Sequence, residues 1–209
     1  GVISIDTESG HGLANKASLS IGSFNTYQAN LGLNGQDEAF TWSLNLNRHK
    51  SDGYSVQDPS FGDAWADDDG YENSSVSTKL SYALSQETEF FLIAFYVDSQ
   101  ADFDPGLPGP YTVEFFDNYA LSEQSFFKTG LKTSLSDNWN TQLGVAHSNI
   151  NTFSHSSWAS ASNGDTYQID WQNDLTINES VTVIAGAEYD IEDRRSGDGD
   201  RDNTSLYLE

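Results

Sequence analysis

The carboxylates Asp52, Asp58, Asp63, Asp67, Asp68, Asp69 and Glu72 crowd one short stretch of the chain against almost no positive charge. Confining that much negative charge costs Coulomb energy unless a cation offsets it. Calcium takes about six to eight oxygen ligands in flexible geometry, so an Asp-rich loop is a plausible ligand set. In Asp67-Asp68-Asp69-Gly70 the alternate carboxylates Asp67 and Asp69 point to one side, and the glycine allows a tight bend. This resembles half of an EF-hand loop, but the Glu that such a loop needs further on is missing. A solvated acidic surface that holds divalent ions only diffusely is the alternative.

Other chemistry finds little support. The chain has no cysteine, which excludes disulfides, thiolate nucleophiles, iron–sulfur clusters and Cys-ligated zinc. His11, His49, His147 and His155 lack metal-ligand spacing. No serine stands in a Gly-x-Ser-x-Gly setting; His147-Ser148, near a strand end, is the pair closest to an outer-membrane lipase arrangement. Gly197-Asp198-Gly199 has the wrong charge for a phosphate loop. The chain reads as no enzyme. With 9 basic and 32 acidic residues its net charge is −23, which excludes nucleic acid as a partner, since phosphates need Lys and Arg.

The elements that must position the acids are strands. Tyr27, Ala29, Leu31 and Leu33 share one face opposite Gln28, Asn30, Gly32 and Asn34. After a turn at residues 35–38, Phe40, Trp42, Leu44 and Leu46 alternate with Thr41, Ser43, Asn45 and Asn47. The same period of two recurs in Leu80–Leu84, Leu131–Leu135, Trp139–Val145, Tyr167–Ile177 and Val181–Glu192. Phe90 to Val97 is apolar on both faces and fits a wet interior poorly. Short turns are expected near residues 36, 86, 137 and 179, and long connections at about 48–75, 98–122, 149–165 and 193–203. Only 36% of residues are hydrophobic, and no apolar run reaches the ~18–20 residues of a membrane helix. A membrane barrel escapes that test, because only alternate residues must be apolar.

The pattern therefore predicts an all-β fold: an antiparallel, up-and-down transmembrane β-barrel with about nine or ten strands present. Asn45, Asn47, Gln168, Asp170, Gln172 and Asp174 would line its polar inside. A secreted β-sandwich also alternates strands and turns, but its strands run to about 5–6 residues, whereas several here approach a dozen. The chain lacks Met and a signal peptide, and is expected to begin and end inside a larger protein.

Several segments, in order along the chain, resemble the TonB-dependent outer-membrane receptors, of the cobalamin-transporter type. Gly1-Val2-Ile3-Ser4-Ile5-Asp6-Thr7 resembles the end of the family's plug domain. Ile21-Gly22-Ser23-Phe24-Asn25-Thr26-Tyr27-Gln28 is similar to a Gly-Ser-x-x-x-Tyr segment between the first two barrel strands. Asp52-Gly53-Tyr54 and Asp67-Asp68-Asp69-Gly70-Tyr71 are similar to motifs of the following loop, and Thr204-Ser205-Leu206-Tyr207-Leu208 to a strand near the middle of that barrel.

The resemblance implies that residues 1–12 end a plug and its linker, and that residues 13–209 form the N-terminal portion of a barrel of about 22 strands. It implies a bacterial outer-membrane location and active import of a scarce nutrient, cobalamin or a similar chelate such as a siderophore. Partners would be TonB, acting through the plug, and the lipid and lipopolysaccharide of the membrane. It also implies calcium as the ion that orders the outer loops. By matching residues the ligands are Asp67 and Asp69, then Asp104 after Phe103, then Asp117 in Phe115-Phe116-Asp117. The family's Asp after Gly-Tyr is here Ser55, with Asp58 nearby as a substitute. A passive porin-like barrel and a secreted calcium-binding β-sandwich adhesin remain as alternatives.

Overall fold

Alternation of apolar with hydroxyl or amide side chains suits a pleated strand with two chemically different faces. In the computed structural model, which describes residues 15–55, 68–104, 118–156, 159–194 and 199–209, it produces ten strands. They are β1 (Lys16–Ile21), β2 (Tyr27–Asp37), β3 (Phe40–Ser51), β4 (Tyr71–Ala83), β5 (Thr88–Asp102), β6 (Tyr119–Ser136), β7 (Trp139–His155), β8 (Ser160–Asn178), β9 (Val181–Arg194) and β10 (Arg201–Leu208). All lie in one sheet in sequence order, every neighbouring pair antiparallel. The up-and-down expectation is met. Residues 1–12, expected as plug and linker, lie outside the described residues.

Register decides what each face carries, because directly paired residues point the same way. One unbroken row runs Phe40, Tyr82, Phe90, Leu131, Leu143, Trp171, Ala187 and Leu206 across β3 to β10. On either side of it lie Trp42, Leu44, Leu46, Leu80, Val76, Leu92, Val145, Ile169 and Tyr189, all on the same face. The opposite face carries Ser43, Asn45, Asn47, Ser77, Gln142, Gln168, Asp170, Gln172 and Asp174, so the residues expected to line a polar inside do share one face. Side-chain bonds lace that face: Asn47 donates to Asn30, and Asn45 Nδ2 reaches Ser77 Oγ at 3.5 Å.

The apolar band is finite and oblique. On β3 it runs from Phe40 to Leu46 and gives way to Arg48 and Lys50; on β8 it runs from Leu175 up to Tyr167 and gives way to Asp165. Measured against the register row, its upper limit drops by one pleat between these strands and its lower limit by two. Strands tilted across a horizontal band produce such an offset. From Tyr167 to Leu175 the chain covers about 27 Å along the strand, roughly 19–22 Å of height at a barrel tilt of about 35–45°, a little short of a band ~25 Å tall.

The connections depart from the expected rhythm in one respect. Turns at 38–39, 84–87, 137–138 and 179–180 are short, the first lying two residues beyond its expected centre. At the opposite end β3 and β4 are separated by residues 52–70, and β5 and β6 by residues 103–118. The stretch 149–165, expected as a third, is mostly strand: β7 continues to His155 and β8 starts at Ser160. Its alternation persists in polar residues, where apolar content no longer marks it. Register shifts at Ser134/Ser136 and Thr176/Asn178 place one irregularity beside the turns at 137–138 and 179–180.

The backbone is closely packed at Gly130, whose missing Cβ leaves room for the Leu143 carbonyl and for Phe91. Gly130→Ala is expected to destabilise the sheet by about 1–3 kcal/mol through overpacking against backbone. A lowered denaturant midpoint for the folded protein is the measurement; an unchanged midpoint would contradict the close approach.

Candidate functional site

At the long-loop end the sequence returns to charge, and there the bases of three connections meet. The turn at residues 22–26 holds Phe24 and Asn25 at positive φ (57° and 49°) and is closed by the Gly22 amide donating to Thr26 O at 2.8 Å. It is tied to the start of the 52–70 connection: the Asp52 amide donates to Phe24 O at 2.9 Å, and Asn25 Nδ2 to Asp52 Oδ2 at 2.6 Å. The Phe24 and Tyr54 rings lie 5.3 Å apart. The end of the same connection is tied to the next one, the Asp102 amide donating to Gly70 O at 2.8 Å. Between them lies a hollow of about 170 Å³ whose carboxylates are Asp52, Glu72 and Asp102.

The expected metal ligands divide into two groups. Asp58, Asp67 and Asp117 lie outside the described residues. Asp69 and Asp104 stand at the loop bases. The Asp69 carbonyl packs against Gly53, and Ser55 Oγ reaches Asp104 Oδ2 at 3.5 Å. Asp104 Oδ1 is buried with no hydrogen-bond partner, and a buried unpaired carboxylate oxygen calls for a cation or a donor. No three Asp, Glu or His side chains converge as a metal-binding group among the described residues. Ser55, the departure from the receptor motif, therefore faces one of the matched acids directly.

Above the apolar band on β3 and β4, Glu72 bonds both Lys50 and Arg48. Lys50 first, then Arg48, holds the Glu72 carboxyl below its ordinary range. Sequence reading had counted Glu72 among the loop acids; it is instead neutralised at the strand end. Reading by motif also missed a second polar cluster at the same height. Asp165, only 8% exposed, accepts from Asn149 Nδ2 at 2.9 Å and lies 3.1 Å from His147 Nε2. His147 and Asp165 are close in space only through the β7–β8 register, which spacing along the chain does not reveal. Ser148 points to the opposite face from His147, so the two do not form a nucleophile–base pair.

No protein-family model and no curated protein matches the sequence. Solved structures do match. The ferric-catecholate import receptor Fiu from E. coli K12 aligns in its open form with a TM-score of 0.69 at 12% identity, over 90% of this chain and 35% of the receptor. The siderophore receptor PiuA from Acinetobacter baumannii aligns with a TM-score of 0.68 at 12% identity, over 94% of this chain and 38% of that one. The sheet has the fold of part of a TonB-dependent receptor barrel. The closed form of Fiu gives the same result, with a TM-score of 0.66 at 14% identity over 88% of this chain and 32% of that chain. The chain thus spans little more than a third of the length of these receptors.

Gly53→Ala would force a side chain into φ +71° and onto the Asp69 carbonyl. A cost of about 1–3 kcal/mol is expected, read as at least about fivefold faster amide exchange at Asp52 and Asp102; unchanged exchange would contradict the packed base. Because the folded-state pKa of Glu72 is lowered, its stabilisation is present above the ordinary carboxylate range and is lost as pH falls through the lowered value. Amide protection factors at the β3–β4 end, referred to the intrinsic exchange rate at each pH, should therefore fall in acid. Glu72→Gln should remove that acid dependence, and a variant that keeps it would contradict the assignment.

Proposed function

We infer that this chain forms part of the barrel of an outer-membrane receptor that imports a scarce metal chelate, of the siderophore or cobalamin kind, with TonB energy. One observation carries the reading: a register-aligned apolar face of membrane height backs a polar face, in the fold of receptors that import ferric catecholates and siderophores. Once closed into a barrel, a sheet of this kind crosses hydrocarbon without unpaired backbone groups, and its polar face lines the interior. The joined loop bases then act as the platform from which the outer connections capture substrate. The protein performs no covalent chemistry in this reading.

Calcium belongs to the same proposal. Asp69 and Asp104 would hold it together with Asp67, Asp117 and Asp58, and the unpartnered oxygen of Asp104 fits a cation. The ion would offset the crowded carboxylates and so allow the loops to order.

Uptake by cells that make the protein tests the import reading. Loss of the protein should lower uptake of its chelate more than tenfold, and collapse of TonB energy should have the same effect. Uptake of ferric chelates and cobalamin that is unchanged by loss of the protein, or uptake indifferent to TonB energy, would sink the reading; the second result fits a passive pore. Calcium titration against magnesium, followed by Trp65 emission, tests the ion. A saturable, calcium-selective change absent from the Asp67→Ala, Asp69→Ala double variant is expected, and an equal response to magnesium would reduce the acids to surface charge.

A further inference from the structure

The apolar face of β6, β7 and β8 turns apolar a second time. Its band ends at the cross-strand row Phe127, His147 and Tyr167, followed by the polar row Ser125, Asn149 and Asp165. Two rows further on, Leu121, Phe153 and Ala161 stand opposite one another, with Leu121 and Phe153 each 37% exposed. Beyond them the Tyr119 and His155 rings stack with centroids 4.9 Å apart, and the Phe153 ring lies 6.4 Å from Tyr119. Between this second apolar row and the row Glu123, Asn151 and Asn163 lies a hollow of about 490 Å³, which Asp98 of β5 also lines. That volume falls within the ~300–1,000 Å³ of small-ligand sites.

The hollow joins two chemically different walls. One is apolar and carries the Phe153 ring. The other is rich in oxygen: Asp98 and Glu123 oppose one another across β5 and β6, and neither forms an ion pair among the described residues. Beside them Asn163 donates to Asn151, while Asn163 Oδ1 is buried with no hydrogen-bond partner among the described residues. A buried oxygen of that kind calls for a donor. A sugar ring satisfies both walls, since its hydroxyls donate to carboxylate and amide oxygens while its C–H face lies on an aromatic ring. Phosphate does not fit, because Asp98 and Glu123 repel it.

Height narrows the source of the sugar. Along β8, Asn163 and Ala161 lie about 13 and 20 Å past Tyr167, or roughly 10 and 15 Å of height at a tilt of about 35–45°. The headgroup layer of a bilayer adds only about 5–8 Å on each side of the hydrocarbon. Acyl chains and phospholipid headgroups therefore end below the hollow, whereas sugars carried upward by a glycolipid reach it. We propose that the hollow binds the saccharide chain of a glycolipid standing in the outer leaflet beside the barrel. Phe153 lies under a sugar ring, and Asp98, Glu123 and Asn163 accept from its hydroxyls. The proposal rests on the membrane-barrel reading above and adds a ligand site on the outside of the wall, apart from the polar face that lines the interior.

Binding of two glycolipids to the full-length protein in detergent tests the site: lipopolysaccharide that carries its sugar core, and lipid A stripped of it. The sugar-bearing form should bind at least tenfold more tightly, and free core oligosaccharide should compete for that difference. Phe153→Leu, which keeps apolar volume and removes the ring, and Asn163→Ala should each reduce the advantage at least fivefold. Both variants should bind lipid A as the parent does, which reports that they are folded, and Ser148→Ala on the opposite face should change nothing. Equal affinity for the two glycolipids, or an advantage untouched by both variants, would overturn the site and leave the barrel standing. A protein that stays soluble without detergent and binds neither glycolipid would instead defeat the membrane-barrel reading on which the site rests.

Discussion

A backbone amide or carbonyl that faces hydrocarbon has no water to bond, so a sheet that borders lipid must pair every such group within itself. On the proposed membrane-barrel reading, that constraint accounts for most of this molecule. It requires long strands in continuous antiparallel register, and register in turn forces alternate side chains onto opposite faces. Slippage by one residue on any strand would carry Leu143 and Val145 to the polar wall and Gln142 and Gly144 to the apolar one. The sequence prevents this by segregating its two faces over nearly every strand, and the short turns at 38–39, 137–138 and 179–180 leave little freedom to slip.

Charge is distributed in accord with the same constraint. Within the apolar band no ionised side chain faces outward on β3 or β8, and above it charge returns on that face, at Arg48, Lys50, Glu72, Asp98, Glu123 and Asp165 among others. There the ionised groups are paired or hydrogen-bonded: Glu72 with two cations, and Asp165 with Asn149 and His147. The strands continue past the band because polar residues can extend a ladder that hydrocarbon no longer constrains. This gives the 52–70 and 103–118 connections a rigid base, formed by main-chain bonds between Asp52 and Phe24 and between Asp102 and Gly70.

The fold was legible in the sequence because a period of two survives in single residues; Trp42, Leu44 and Leu46 betray their strand without any knowledge of their neighbours. Where alternation becomes mostly polar, as from Asn149 to Asp165, composition resembles a loop, and the far end of β7 and the start of β8 go unseen. The site was only partly legible. The acidic motif flags Asp69, and resemblance flags Asp104, but nothing local signals that Ser55 meets Asp104 or that Glu72 is neutralised by Arg48 and Lys50. Those contacts arise from pairing between distant segments. The double apolar character of β5 was visible in the sequence as a misfit, and the register places Phe91, Ile93, Phe95 and Val97 together on the polar face.

The central claim is that the face bearing Tyr167, Ile169 and Trp171 lies in lipid while Gln168, Asp170 and Gln172 face an aqueous or protein-filled interior. Spin labels placed singly along residues 167–172, in the protein reconstituted into bilayers, measure this through collision with oxygen and with a water-soluble nickel chelate. Oxygen accessibility that rises at 167, 169 and 171 and falls at 168, 170 and 172, with the nickel signal never high at the odd positions, is the predicted result. A uniform profile along the strand, or high nickel accessibility at 169 and 171, would contradict it.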